Sequence, residues 1–131
     1  NYAKVTGLSS LVLQGEWCGE GIQKNRLKLS SPEWFVFTAI TNGNRTDFDT
    51  LKDICKNVGA TMVPVEETGT NLCEVYNSPD TLLERAEGIG YNNTQREGIV
   101  IRPIKPVQSK WLQTDLSMKV LNNKYLMKNE D

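Results

Sequence analysis

The sequence contains no histidine. That absence removes the commonest general base at neutral pH and excludes Ser–His and Cys–His nucleophile pairs. Cysteine is scarce too. Cys18, Cys55 and Cys73 stand far apart with no CxxC pair, a pattern that suggests neither a zinc site nor a disulfide framework and fits a reducing, cytoplasmic setting. No apolar run is long enough to cross a bilayer and no signal peptide is recognisable, so no membrane partner is expected. An excess of one charge sign is also missing. Fifteen Lys and Arg face sixteen Asp and Glu, so any surface for nucleic acid has to be local. Chemistry on this chain must run on carboxylates and lysines, with or without a metal.

What is present suffices for one globular domain: 131 residues, 38% hydrophobic and 24% charged. The chain begins with Asn1 rather than Met, which suggests a piece of a longer protein. Residues 10–16 read as a strand ending in an acid, followed by a turn punctuated by Gly15, Gly19 and Gly21. The alternation in 26–30 predicts a second strand. Residues 33–41, EWFVFTAIT, are aromatic and β-branched, bounded by Pro32 and Asn42-Gly43, and predict a third. Asp47 or Asp49 caps a predicted helix to about Val58, with Leu51, Ile54, Cys55 and Val58 on one face and Gly59 as its stop. Residues 61–66 suggest an edge or irregular strand because of Pro64. Ser78-Pro79 predicts a second helix start, with Leu82, Leu83 and Ala86 as its apolar side. The run Ile99-Val100-Ile101 predicts a strand buried on both faces, residues 106–114 read as irregular, and 115–121 read as a final strand. Mostly strands with two inserted helices imply an α+β fold with largely antiparallel sheets.

The acids and cations fall at strand ends. Glu16 closes one strand, Glu97 opens another, Lys119 lies in a third, and Phe35 and Phe37 share one face of a fourth by alternation. Lining one groove, they would suit a nucleoside triphosphate: an aromatic wall for the base, a carboxylate for the ribose, a lysine for phosphate, and a second carboxylate for a hard cation. Each has a plainer explanation. Phenylalanines in strands are usually core, Glu16 can solvate a turn, Glu97 can form a surface ion pair, and Lys119 can be an ordinary surface lysine. The glycines at 15, 19 and 21 fit neither a P-loop nor a GxGxxG element.

Four elements in order, LQGEWCGEGIQKNRLKL, EWFVFTAI, REGIVIRP and SMKVLNNKYL, resemble the covalent nucleotidyltransferase superfamily of RNA ligases, DNA ligases and mRNA capping enzymes. The resemblance is to ATP-dependent RNA ligases of the RNA-ligase-2-like branch, and within it to the Deinococcus-type RNA ligases. It implies a ligase-type nucleotidyltransferase fold, ATP-grasp-like and truncated at its N-terminus, with residues 1–131 forming the C-terminal portion of the adenylation domain. It implies ATP and Mg²⁺ or Mn²⁺ as cofactors, and RNA ends, with a nicked duplex as one form, as partners. By the same resemblance Glu16 contacts the ribose and supports catalysis. Phe35 or Phe37 stacks on adenine. Glu97 serves the metal and nucleotidyl transfer, and Lys119 contacts the ATP phosphates. Ser117 stands where other members carry the first of two lysines, and Thr38 or Ala39 where many carry an aspartate. The nucleophilic lysine of a KxDG-like motif is missing. Lys4-Val5-Thr6-Gly7 looks like it, but lies twelve positions before Glu16, where the family needs several tens. A DNA ligase or capping-type enzyme, and a non-catalytic nucleotide- or RNA-binding module, stay open as alternatives.

Overall fold

The computed structural model describes residues 2–128. They fall into two compact units: 2–65 with 104–106, and 66–103 with 107–128.

The first unit is built around the aromatic run. After helix α1 (Tyr2–Thr6), strand β1 (Leu11–Cys18) pairs antiparallel with β2 (Glu33–Thr41), which also pairs with the short β3 (Asn44–Arg45) across the Asn42-Gly43 turn. Helix α2 (Phe48–Val58) follows. Its Asp47 cap accepts from the Thr50 N–H at 2.8 Å, and Gly59 ends it in a left-handed conformation with φ 73°. Strand β4 (Thr61–Met62) then adds in parallel to β2. The predicted strand over 61–66 stops there because Val63 donates to the Val36 carbonyl and Pro64 can donate nothing further. The core consists of Val36 and Ala39 from β2 with Leu51, Ile54 and Cys55 from α2, packed by Leu11, Leu13, Trp34 and Met62. Val58, predicted on the same face, is exposed.

The core positions on β2 skip a beat: 34, 36, then 39. The cause is a β-bulge. Gln14 faces Thr38 and Gly15 faces Val36, which leaves Phe37 without a residue opposite it. The extra residue shifts the alternation so that Val36 and Ala39 both reach α2.

The predicted strand over 26–30 does not form. Gln23, Lys24 and Asn25 take positive φ in a left-handed turn, Lys28 does so again, and the Asn25 side chain both donates to the Leu29 carbonyl at 2.8 Å and accepts from its N–H at 3.0 Å. That local amide bracket satisfies the backbone without a partner strand.

The second unit contains helices α3 (Leu72–Val75) and α4 (Pro79–Ala86), the latter with the Ser78 capping box that Ser78-Pro79 predicts. Strand β5 (Gly98–Ile101) pairs antiparallel with β8 (Met118–Leu121), and the tight pair β6 (Gln108–Ser109) and β7 (Thr114–Asp115) lies between them in the chain, where an irregular segment is predicted. Helix α5 (Asn123–Lys128) follows β8. β8 is shorter than predicted, because its ladder begins at Met118. β5 is not buried on both faces: Val100 is 59% exposed, whereas Ile99 and Ile101 are half-buried. With only one neighbouring strand, β5 has one protected face, and the β-branched run reflects strand propensity more than burial. The architecture is α+β with mainly antiparallel pairing, and the two predicted helices are joined by the short α1, α3 and α5.

Candidate functional site

In the first unit the strand register decides where Glu16 points. Leu13 opposite Ala39 and Gly15 opposite Val36 face the helix-packed core. Glu16, one residue on, faces the other way, directly across from Phe35. Glu16 and Phe35 therefore share the sheet face turned from α2. Glu16 is exposed, Phe35 is only 3% exposed, and Phe37 at the bulge is half-buried. The neighbouring Thr38 is buried and accepts from Arg45 Nη2 at 3.4 Å.

Two tryptophans that the sequence reading left aside hold this strand pair. Trp17 and Trp34 stack with centroids 6.4 Å apart and planes at 28°. Gly15 makes room for the indole: a Cβ there would sit 2.6 Å from Trp34 Nε1 and overlap the Phe35 carbonyl. Glu16 thus sits between two residues that are fixed by packing. Gly15, expected in a turn, and Glu16, expected at a strand end, both lie inside β1, whose ladder with β2 runs on to Cys18. Next to it, the Cys18 thiol is pushed up, by burial first and then by Glu16 and Glu33. That shift favours the protonated thiol over the thiolate.

In the second unit Glu97 immediately precedes β5, and Lys119 lies in β8 opposite Val100. Lys119 Nζ is 3.5 Å from Glu97 Oε1, with both side chains 56% exposed. The two arginines that bracket the strand turn elsewhere. Arg96 Nη2 donates to the Glu87 carbonyl at 2.7 Å while Nη1 lies 3.4 Å from Glu66. Arg102 Nε donates at 3.2 Å to the Ser117 hydroxyl. Glu97 is left as the carboxylate that projects at the strand mouth. Asn122, just past β8, is wholly buried and holds the backbone there: its N–H donates to the Glu97 carbonyl at 2.8 Å.

Among the described residues no three His, Cys, Asp or Glu side chains gather as a ready-made metal cage. A single solvent-facing carboxylate beside a lysine still suits Mg²⁺ or Mn²⁺. Mg²⁺ usually keeps several waters and is held by one or two carboxylates plus substrate phosphates. No helix among the described residues is long and apolar enough to cross a membrane. Lys4, in the KxDG-like stretch, lies in the short exposed helix α1.

The profile of the RNA ligase family matches residues 2–121. The chain belongs to the RNA ligase family. Solved structures of a Naegleria gruberi RNA ligase carry the same fold. The form with pyrophosphate is 23% identical with a TM-score of 0.76, covering 98% of this chain and 36% of that one. A lysine-to-methionine variant with AMP and Mn has a TM-score of 0.77 at 23% identity, covering 98% and 37%. A lysine-to-alanine variant with ATP and Mn has a TM-score of 0.76 at 23% identity, covering 97% and 36%. This chain therefore spans little more than a third of the length of those RNA ligases. A comparison with curated proteins found no match.

Proposed function

We propose that this chain is the C-terminal portion of the adenylation domain of an ATP-dependent RNA ligase, one that joins RNA 5′-phosphate and 3′-hydroxyl ends, free or at a nick. The observation that carries the reading is the Glu97–Lys119 pair at 3.5 Å on adjacent strands of a family member. It is an acid and a cation of the kind that phosphate and a divalent ion need.

In this reading the Glu16–Phe35 face takes the adenosine. Glu16 accepts from ribose hydroxyls. Phe37 stacks on adenine, since its ring is half-buried while Phe35 is enclosed. Lys119 contacts the ATP phosphates and Glu97 holds the divalent ion. A bound Mg²⁺ or Mn²⁺ would offset negative charge on the phosphate oxygens. The reaction has three displacements. A lysine amine attacks the α-phosphorus of ATP and pyrophosphate leaves. An oxygen of the RNA 5′-phosphate attacks the lysine-bound AMP and frees the lysine. The 3′-hydroxyl attacks the activated 5′-phosphorus and AMP leaves. Catalysis here is positioning plus charge stabilisation. The attacking lysine lies outside this chain, since Lys4 is on a short exposed helix far too close in sequence to Glu16. The three widely spaced cysteines support a reducing cytoplasm, and the RNA substrate makes RNA repair the natural role.

The chain alone, incubated with α-labelled ATP, is expected to take up no covalent label; label on Lys4 would overturn that part. In the complete ligase, Glu97→Ala should lower RNA joining more than 100-fold while RNA binding persists. Unchanged joining would remove the site assignment. Loss of RNA binding alone would favour a non-catalytic binding module, and faster sealing of DNA than RNA nicks would favour a DNA ligase.

A further inference from the structure

The NNKYL segment that closes the resemblance has no role in the reading above. Its first asparagine is Asn122, whose side chain is fully buried. The amide does two things at once. Its Oδ1 accepts from the Lys124 and Tyr125 N–H groups at 3.1 and 3.4 Å and so caps α5. Its Nδ2 donates to the Arg96 carbonyl at 2.8 Å, and its backbone N–H donates to the Glu97 carbonyl at 2.8 Å. The backbone bond continues the β5–β8 ladder by one rung. The side-chain bond belongs to no ladder, and capping alone does not require it.

We propose that Asn122 is a positioning residue for the divalent-metal acid, clamping the Arg96–Glu97 backbone to the strand that carries Lys119. The need for a clamp follows from Glu97 itself. Its side chain is 56% exposed and reaches Lys119 only at 3.5 Å, a contact too weak and too solvated to fix a direction. The aim of the carboxylate is set by its backbone. That backbone lies just outside β5, where a chain would fray without a hold. Asn122 supplies the hold from a buried site, and α5 anchors Asn122 in turn through the buried Tyr125 and through Lys124, whose ammonium lies 2.8 Å from Glu87. Partners of this kind, one shell out from a metal ligand, commonly change affinity 10–100-fold when removed.

The inference rests on the reading of Glu97 as the metal-holding acid, and the test separates the two. Asn122→Ser keeps a capping oxygen but is too short to reach the Arg96 carbonyl. Asn122→Asp keeps length and cap but loses the donor. Mn²⁺ binding to the complete protein with AMP present, followed by the electron paramagnetic resonance signal of free Mn²⁺, should weaken about tenfold in both variants, with the melting temperature of Asn122→Ser held near the parent value. Glu97→Gln serves as the reference. If Glu97→Gln leaves Mn²⁺ affinity intact, the metal reading fails. If Glu97→Gln weakens it and both Asn122 variants do not, the positioning role fails. Should the variants not fold, the parent protein decides. Adding Mg²⁺ and AMP should shift the Asn122 side-chain amide resonances, and unmoved resonances would overturn the clamp.

Discussion

The two units of this chain achieve order by different means. In the first, β2 and α2 bury Val36 and Ile54 completely, and Ala39 and Cys55 nearly so, in one continuous apolar cluster. In the second, the buried residues among those described are Ala86, Tyr125, Thr94 and Asn122, half of them polar. Ion pairs link Glu66 to Arg96, Glu67 to Arg85, Glu87 to Lys124 and Glu97 to Lys119. The Glu97–Lys119 pair is exposed and contributes little, whereas the Arg96 side chain is largely enclosed, so a polar framework of ion pairs, hydrogen bonds and ladder geometry holds the second unit. The contrast matches the proposed work of each. A flat aromatic ring needs a stiff sheet face, which an apolar core supplies. A carboxylate and an ammonium need solvent until the substrate arrives, and a polar framework tolerates that.

The largest expected effect tests the apolar half. Ile54→Ala removes a fully buried side chain from the centre of the cluster and should cost about 3 kcal/mol in denaturant unfolding. Hydrogen exchange should accelerate across α2 and β2 ahead of β5 and β8. Equal acceleration in both units would erase the distinction drawn here.

Next comes the ladder of the second unit. A Cβ at Gly98 would overlap the Val120 carbonyl oxygen and sit 3.1 Å from the Leu121 Cα. Gly98→Ala should therefore force β5 from β8, at about 2 kcal/mol, with exchange accelerating at 98–101 and 118–121 while α2 keeps its protection. An alanine accommodated without loss would mean that the pair is looser than its register implies.

These same residues show what a sequence can and cannot disclose. β2 was legible to the residue, and α2 but for the choice between Asp47 and Asp49 as cap, because their signals are local: β-branched and aromatic density between Pro32 and Asn42-Gly43, and helical spacing between an Asp cap and a Gly stop. The turn at 23–25 was not, since Leu27 and Leu29 imitate strand alternation while Asn25 imposes a bracket that only geometry reveals. The bulge at Phe37 was equally hidden, yet it decides which β2 side chains reach the core. For the candidate site, the resemblance marked Glu16, Phe35, Phe37, Glu97 and Lys119. They left Trp34 and Asn122 unmarked, because holding another residue in place has no sequence spacing of its own.

A smaller effect distinguishes the units by acid. The Asp47 carboxyl is held below its ordinary range, chiefly by the Thr50 hydrogen bond. Glu67 is held low by the Thr70 hydroxyl, then Tyr76 and Arg85. A carboxyl with a lowered folded pKa contributes stability above its unfolded pKa and loses it as pH falls through the folded value. Both contributions are thus complete at neutral pH and fade below about pH 4. Asp47→Asn, which keeps the capping oxygen, should flatten the acid limb of unfolding read at α2. Glu67→Gln should flatten it at α4. A shift of both limbs by either change would show that the units unfold as one.

The smallest expected change in stability carries the most functional information. Lys119 is 56% exposed and its ion pair with Glu97 is solvated, so Lys119→Ala should alter unfolding by no more than about 0.5 kcal/mol. Placed against ATP phosphates, the same ammonium would act where water is excluded and charge is concentrated, and its removal should weaken ATP binding by an order of magnitude or more. Lys119→Arg keeps the charge but replaces a compact ammonium with a planar fork, so it should restore binding only in part. A measurement that finds stability and ATP affinity both untouched would return Lys119 to the status of an ordinary surface lysine. The acidic partner at Glu97 would then have to be explained without it.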